Sequence, residues 1–180
     1  MPHFITLPGI YGSGPNHWQT HWERDLANAK RFQPQSWDKP VLTQWIEAVD
    51  AEIAAADEPC ILVVHSLSCL LVAHWSAVTR HTVLGAFLVS VPDPSAPAFP
   101  ADALGFAGFP RTKLPFSSVV VASNNDPFGS VGHQRDCARD WGSQFISAGN
   151  LGHINEATGL GSWPQGCQLL DDFVRSLPAS

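Results

Sequence analysis

The feature that most constrains the fold is a continuous apolar run over residues 60–65, which a single serine separates from a second apolar stretch over 67–79. The first run has no alternation of polar and apolar residues, so it predicts a strand covered on both faces, as in a parallel sheet. The second stretch is long enough for a helix. A buried strand that passes into a helix through one residue, Ser66, is typical of chains in which helices pack on a parallel sheet.

Strand-like and helix-like segments alternate along the rest of the chain. Further strands are predicted at 3–7, 31–33, 83–90, 117–122 and 144–147, and further helices at 16–29, 41–56, 131–141 and 163–177. This alternation predicts the α/β class, with a parallel sheet and helices on both faces. We expect a single domain over residues 1–180. Within it, 91–115 is predicted to be a short lid-like insertion, because long irregular connections are often functional.

Composition argues against several classes of function. Apolar residues make up 44% of the chain and charged residues 14%, which favours a compact globular protein over a disordered one. A net charge of −6 without a basic stripe argues against a nucleic-acid partner. No apolar stretch is long enough for a membrane span, and the first residues lack the pattern of a signal peptide. We therefore expect a cytoplasmic protein without a membrane partner, whose four cysteines are reduced thiols rather than disulfides or metal ligands.

Ser66 lies where a strand-to-helix elbow would present a nucleophilic serine above the sheet. Free N–H groups and the dipole at a helix start favour negative charge, so the N–H of Leu67 is a candidate donor to an oxyanion. Both glycines of the G-x-S-x-G pattern are replaced, by Val64 and Ser68. Serine is also a good helix N-cap, and capping is the alternative interpretation of Ser66.

A nucleophilic serine needs a general base and a third group that orients the base. Asp126 follows the predicted strand 117–122, and His153 follows the strand 144–147, in the chain order Ser, Asp, His of α/β-hydrolases. The carboxyl ends of parallel strands share one edge, so these residues are expected to lie near Ser66. Asp93, which follows the strand before Asp126, is the alternative acid.

The loop after the first strand, Pro8-Gly9-Ile10-Tyr11-Gly12, is expected to lie beside Ser66. In this class of fold that loop supplies a second oxyanion donor, and the candidates are the backbone N–H groups of Ile10 and Tyr11. Glycines after a first strand can also bind a phosphate, although the spacing here matches neither common phosphate-binding pattern.

Histidines and aromatic residues near these motifs each have two interpretations. His17 and His21 are four residues apart, a spacing that would suit two metal ligands on one helix face. Because no H-E-x-x-H pattern accompanies them, we expect no metal. We instead place His17 at the mouth of the site, as a substrate contact. The side chain of His65 is expected to point away from Ser66 and to be structural. Four phenylalanines either line an acyl pocket or pack under the lid-like segment, with Phe128 taken as a substrate contact: Phe99, Phe106, Phe109 and Phe128.

Four stretches taken together resemble a known family. They lie at residues 7–18, 65–69, 122–128 and 152–155. They are similar to the small serine hydrolases of the YdeN and retinoblastoma-binding-protein-nine type, within the α/β-hydrolase superfamily. The resemblance implies a six-stranded parallel sheet, a catalytic triad of Ser66, Asp126 and His153, an esterase-like activity and no cofactor.

The predicted reaction is transfer of an acyl group from a small or short-chain ester to water, by way of an acyl-enzyme on Ser66. One alternative is a hydrolase-fold protein that acts as a binding or scaffold module with little turnover, as the two missing elbow glycines suggest. A third hypothesis is a flavodoxin-like binder of phosphates or nucleotides that uses the first loop.

Overall fold

A six-stranded parallel sheet forms the centre of the computed structural model, which describes residues 2–178. Its strands are β1 (His3–Leu7), β2 (Ala29–Arg31), β3 (Cys60–His65), β4 (Gly85–Val89), β5 (Ser117–Ala122) and β6 (Gln144–Ser147). They lie in the order β2-β1-β3-β4-β5-β6, and every neighbouring pair is parallel. The α/β class and the six parallel strands are therefore confirmed.

Within the part of the chain that the structure describes, five helices cover the sheet on both faces. They are α1 (Trp18–Asp25), α2 (Leu42–Ala54), α3 (Leu67–Ser76), α4 (Val131–Trp141) and α5 (Pro164–Ser176). Successive residues of β3 show the two layers, because Leu62 and Val64 pack into a core with α2, α3 and α4, whereas Ile61 and Val63 pack with α1 and α5. Within residues 2–178, no helix is long and apolar enough to cross a membrane.

The elements with the clearest sequence patterns begin and end where they are predicted, namely β3, β5, β6 and α4. The first helix is shorter than the predicted 16–29. His17 caps its start, and the N–H of Leu26 closes its last turn on the carbonyl of Trp22. Asn28 then takes a positive φ of 68°, and the chain enters β2 two residues before the predicted start.

The chain reverses its direction across the sheet once, between β1 and β3. Open parallel sheets bind ligands at the carboxyl ends of the strands beside such a reversal. Here the loop after β1 meets the turn after β3, and the Ser68 hydroxyl donates a hydrogen bond of 2.5 Å to the carbonyl of Pro8. The fold therefore brings the first loop and Ser66 together at the edge where a site is expected.

The segment 91–115 connects β4 to β5 without a helix or an extended strand. Its later part is attached to α4, since the Trp141 indole donates to the carbonyl of Pro110 at 2.9 Å and Arg111 pairs with Asp140 at 2.7 Å. Phe106 is fully buried in the core beneath it. The start of the segment also contacts α4, since the N–H of Val91 donates to the side-chain oxygen of Gln134 at 3.0 Å. The part around Phe99 lies at the site described below.

Candidate active site

Ser66 forms a sharp turn between β3 and α3. Its backbone has φ 55° and ψ −124°, a conformation that a non-glycine residue rarely adopts. The turn is held by the Ser66 N–H, which donates to the carbonyl of Val89 at 2.9 Å. The Ser66 side chain makes no capping hydrogen bond to α3. The hydroxyl is instead presented above the sheet, as the elbow interpretation predicts.

A continuous chain of hydrogen bonds links Ser66 to Asp126 through His153. His153 Nε2 lies 2.7 Å from Ser66 Oγ, and His153 Nδ1 lies 2.8 and 2.9 Å from the two carboxylate oxygens of Asp126. The Asp126 side chain is fully buried, and its Oδ1 also accepts a hydrogen bond from the backbone N–H of Phe128 at 2.9 Å. The structure therefore brings the three predicted residues together in the order that base-assisted nucleophilic attack requires.

Polar residues between β5 and Asp126 hold the His153 loop in place. The Ser123 hydroxyl accepts from the backbone N–H of Leu151 at 2.9 Å, and Asn125 Oδ1 accepts from the N–H of Gly152 at 2.8 Å. These bonds connect the loops that carry Asp126 and His153. Sequence reasoning did not identify these positioning residues, although the run Ser-Asn-Asn directly before Asp126 was a signal that could have shown them.

Asp93, the alternative acid, is directed elsewhere. Its Oδ1 accepts hydrogen bonds from the backbone N–H and the hydroxyl of Ser95, and its Oδ2 lies 3.7 Å from Nδ1 of His133. Asp93 thus stabilises a turn at the start of the 91–115 segment, and Asp126 is the carboxylate that contacts His153.

Two backbone N–H groups beside Ser66 lack an intramolecular acceptor within residues 2–178, those of Leu67 and Ile10. The N–H of Tyr11, the other candidate in the first loop, donates to the carbonyl of Trp37 at 2.9 Å. Gly9 packs so closely that a Cβ added to it would lie 2.9 Å from the Cβ of Ser66. Of the predicted donors, Leu67 and Ile10 are therefore the pair that remains available for an oxyanion.

Two buried histidines, His17 and His65, back the His153 ring. His65 Nε2 lies 3.0 Å from the carbonyl oxygen of His153, and burial holds the pKa of His65 well below its usual range. The ring of His17 packs edge-on against the ring of His65, with the two ring centroids 4.8 Å apart. Burial, assisted by the charge of Arg31, lowers the pKa of His17 to about 3. Both rings are therefore neutral at neutral pH, and His65 contacts the backbone of His153 rather than Ser66.

The hydrogen bonds of His17 define its role in the fold. His17 Nδ1 accepts from the backbone N–H of Gln19 at 3.2 Å and so caps α1, which places the ring proton on Nε2. Nε2 is buried and has no partner among the described residues. Residues 2–178 contain no group of three His, Cys, Asp or Glu side chains that could hold a metal ion.

We expect the buried His17 to make stability depend on pH. Its pKa is about 3 in the folded chain against an ordinary 6.5, so only the unfolded chain takes up its proton as the pH falls through this range. The contribution of His17 to the free energy of unfolding is therefore complete above pH 6.5 and declines as the pH falls below that value.

The variant His17→Asn tests this dependence, because asparagine retains a side chain that can cap the helix. Between about pH 7 and pH 4.5 the wild type should lose roughly 2 kcal/mol more unfolding free energy than the variant. Urea unfolding at both pH values checks this, and equal losses would contradict it.

A cavity of about 570 Å³ opens above Ser66. Its wall contains Ser66, His153, the first loop and the early part of the 91–115 segment. Phe99 and Phe128 line it, whereas Phe106 packs in the core and Phe109 packs against Trp141. The four phenylalanines thus divide between the two interpretations. The remaining lining residues are Gly9, Ile10, Tyr11, Gly12, Gly14, His17, His65, Leu67, Pro92, Ala98, Pro100, Asn155, Glu156 and Ala157.

Comparison with known proteins indicates the family and the fold of the chain. A family model described as Serine hydrolase matches residues 4–172. A search of curated proteins returns no significant match. The structure of a YdeN-like hydrolase from Pectobacterium atrosepticum is 28% identical with a TM-score of 0.86, and the match covers 99% of this chain and 94% of that one.

Two further solved structures share the fold at lower identity. The ydeN gene product of B. subtilis is 20% identical with a TM-score of 0.80, over 98% of this chain and all of that one (100%). A thermophilic esterase from Thermogutta terrifontis is 13% identical with a TM-score of 0.71, over 97% of this chain and 90% of that one. The resemblance indicated by the four sequence stretches is thereby confirmed.

Proposed function

The chain belongs to the serine hydrolase family, and on that premise we propose that it is a carboxylesterase acting on small or short-chain esters. The observation that carries this proposal is the hydrogen-bonded chain from Asp126 through His153 to Ser66, at the wall of a cavity. In this proposal Ser66 is the nucleophile, His153 the general base and Asp126 the group that orients it.

The reaction begins when Ser66 Oγ attacks the ester carbonyl and its proton passes to His153 Nε2. Asp126 accepts the hydrogen bond from Nδ1–H and stabilises the imidazolium. The N–H groups of Leu67 and Ile10 donate to the oxyanion of the tetrahedral intermediate. His153 then protonates the departing alcohol, which leaves an acyl group on Ser66. Water, deprotonated by His153, attacks this acyl-enzyme, and the acid is released as Ser66 regains its proton.

The cavity supports a small substrate. Its volume of about 570 Å³ is within the range of sites that enclose a small molecule, and most of its wall is apolar apart from a few polar groups. The ring centroids of Phe128 and His153 are 4.4 Å apart, so Phe128 limits the space beside the reacting atoms. Phe99 and Pro100 of the 91–115 segment line it as well, which favours short acyl and alcohol groups.

Labelling with a fluorophosphonate tests the proposal. We expect one adduct per chain, located on Ser66 by mass spectrometry and absent from Ser66→Ala. Ser90→Ala is the matched control, because Ser90 is also a buried serine with positive φ (58°) directly after a strand, but it makes no hydrogen bond to His153. This variant should label like the wild type. An unlabelled wild type, or an adduct that persists in Ser66→Ala, would contradict an activated Ser66.

The alternative of a binding protein with little turnover rests on the two replaced elbow glycines. In the structure Val64 is fully buried in the core and Ser68 donates to Pro8, so the elbow forms with both side chains in place. The phosphate-binding alternative is disfavoured because the N–H groups of Tyr11 and Gly12 donate to carbonyls of Trp37 and Gly9. A folded wild-type protein with neither label nor ester turnover would favour the binding module.

A further inference from the structure

The charge of the cavity wall comes from one residue. Glu156 is the single carboxylate that lines the cavity, and no lysine or arginine of residues 2–178 lines it. His17 and His65 in the same wall are neutral, because burial lowers the pKa of each. A substrate in this cavity therefore meets a negative charge that no cation in the wall offsets.

The position of Glu156 is set by two contacts with the first loop. Its Oε1 accepts a hydrogen bond of 3.0 Å from the side-chain amide of Asn16. Its Oε2 lies over Gly14, where an added Cβ would be only 2.6 Å away. Glu156 itself begins the short 3₁₀ turn Glu156–Thr158, three residues after His153. The carboxylate is thus held between the loop that carries His153 and the loop that carries Ile10.

The aromatic lining of the cavity suits a cation as well. Tyr11, Phe99 and Phe128 line the same space, and faces of aromatic rings attract ammonium groups. A carboxylate at the rim attracts the same groups and repels anions. Together these surfaces favour a substrate with a positively charged amine over one with a carboxylate or a phosphate.

We propose that Glu156 selects esters whose alcohol part carries a positively charged amine, so that the substrates are esters of amino alcohols. This inference rests on the proposed esterase function. The alcohol part is assigned because His153 must protonate the departing alcohol oxygen, and Glu156 belongs to the same loop as His153. The cation lies towards Glu156 while the ester carbonyl lies between Ser66 Oγ and the N–H of Leu67.

A pair of substrates with matched shape tests this assignment. Butyrylcholine and 3,3-dimethylbutyl butyrate differ only in a trimethylammonium group against a tert-butyl group. We expect wild-type kcat/KM to be roughly 3- to 10-fold higher for the choline ester. The reason is that the attraction between an exposed carboxylate and a nearby ammonium group is worth about 1 kcal/mol. Glu156→Gln should bring the ratio of the two kcat/KM values close to one. The preference should also shrink as ionic strength rises.

Glu58→Gln is the matched control. It removes the same charge from an exposed residue just before β3, at the opposite edge of the sheet, and should retain the wild-type ratio. Equal turnover of the two esters by the wild type, or a preference that survives in Glu156→Gln, would overturn this inference alone. If Glu156→Gln lowered kcat/KM for a betaine ester, with the cation on the acyl part, by a larger factor than for butyrylcholine, the assignment to the alcohol part would be overturned. Failure of every ester together with an unlabelled Ser66 would overturn the proposed function and this inference with it.

Discussion

Asp126→Asn should lower kcat for p-nitrophenyl butyrate by roughly 10³- to 10⁴-fold, with a much smaller change in KM. The amide of asparagine can donate a hydrogen bond to His153 Nδ1, which places the ring proton on Nε2. That nitrogen, 2.7 Å from Ser66 Oγ, can then no longer accept the serine proton. The Phe128 N–H keeps an acceptor in the new side chain, so the fold of the loop should be preserved. Steady-state kinetics on both proteins measure the effect.

Asp93→Asn is the control for this prediction, because Asp93 is the other acid that follows a strand at this edge. It contacts Ser95 and His133 rather than His153, so its kcat should stay within about three-fold of the wild type. If Asp93→Asn were as inactive as Asp126→Asn, the assignment of the acid from the hydrogen-bond geometry would be wrong.

Gly9→Ala should lower kcat/KM by roughly 10²-fold, because small displacements of reacting groups or of an oxyanion donor have effects of this size. The added Cβ would lie 2.9 Å from the Cβ of Ser66 and 3.4 Å from the backbone nitrogen of Leu67. Either the first loop must move away, which separates Ile10 N–H from Leu67 N–H, or Ser66 must shift relative to His153. The same p-nitrophenyl butyrate assay reports the loss, with circular dichroism as a check of the fold.

Gly132→Ala provides the comparison. Its added Cβ would have only the Ser130 hydroxyl within 4 Å, at 3.8 Å, an ordinary contact on an exposed part of α4. Activity should be unchanged. A Gly9→Ala protein with activity within three-fold of the wild type would mean that the loop can accommodate a methyl group without moving the donors.

The sequence was sufficient for the parts of the site that lie directly after strands. Ser66, Asp126 and His153 follow β3, β5 and β6. The apolar runs of β3 and β5 made the ends of these two strands visible. Parallel strands then bring such positions to one edge without any further information. β2 is an edge strand of three residues without such a run, and its predicted start was two residues late.

Features that depend on contacts between distant segments could not be predicted. The choice between Ile10 and Tyr11 as donors depends on the carbonyl of Trp37, which no local pattern associates with the first loop. The presence of Glu156 in the cavity likewise depends on Asn16 and Gly14, 140 or more residues earlier in the chain. Packing decides such questions, and periodicity along one segment carries no information about them.

The hydrogen bond from Ser68 to the Pro8 carbonyl changes what a search template for such hydrolases should contain. A pattern that demands glycine on both sides of the nucleophile would pass over this chain, although its elbow is fully formed. The close approach that the elbow needs is met here by Gly9, in a different loop. A template built on a serine between strand and helix, with a glycine just after the first strand, would describe the physical requirement rather than one solution to it.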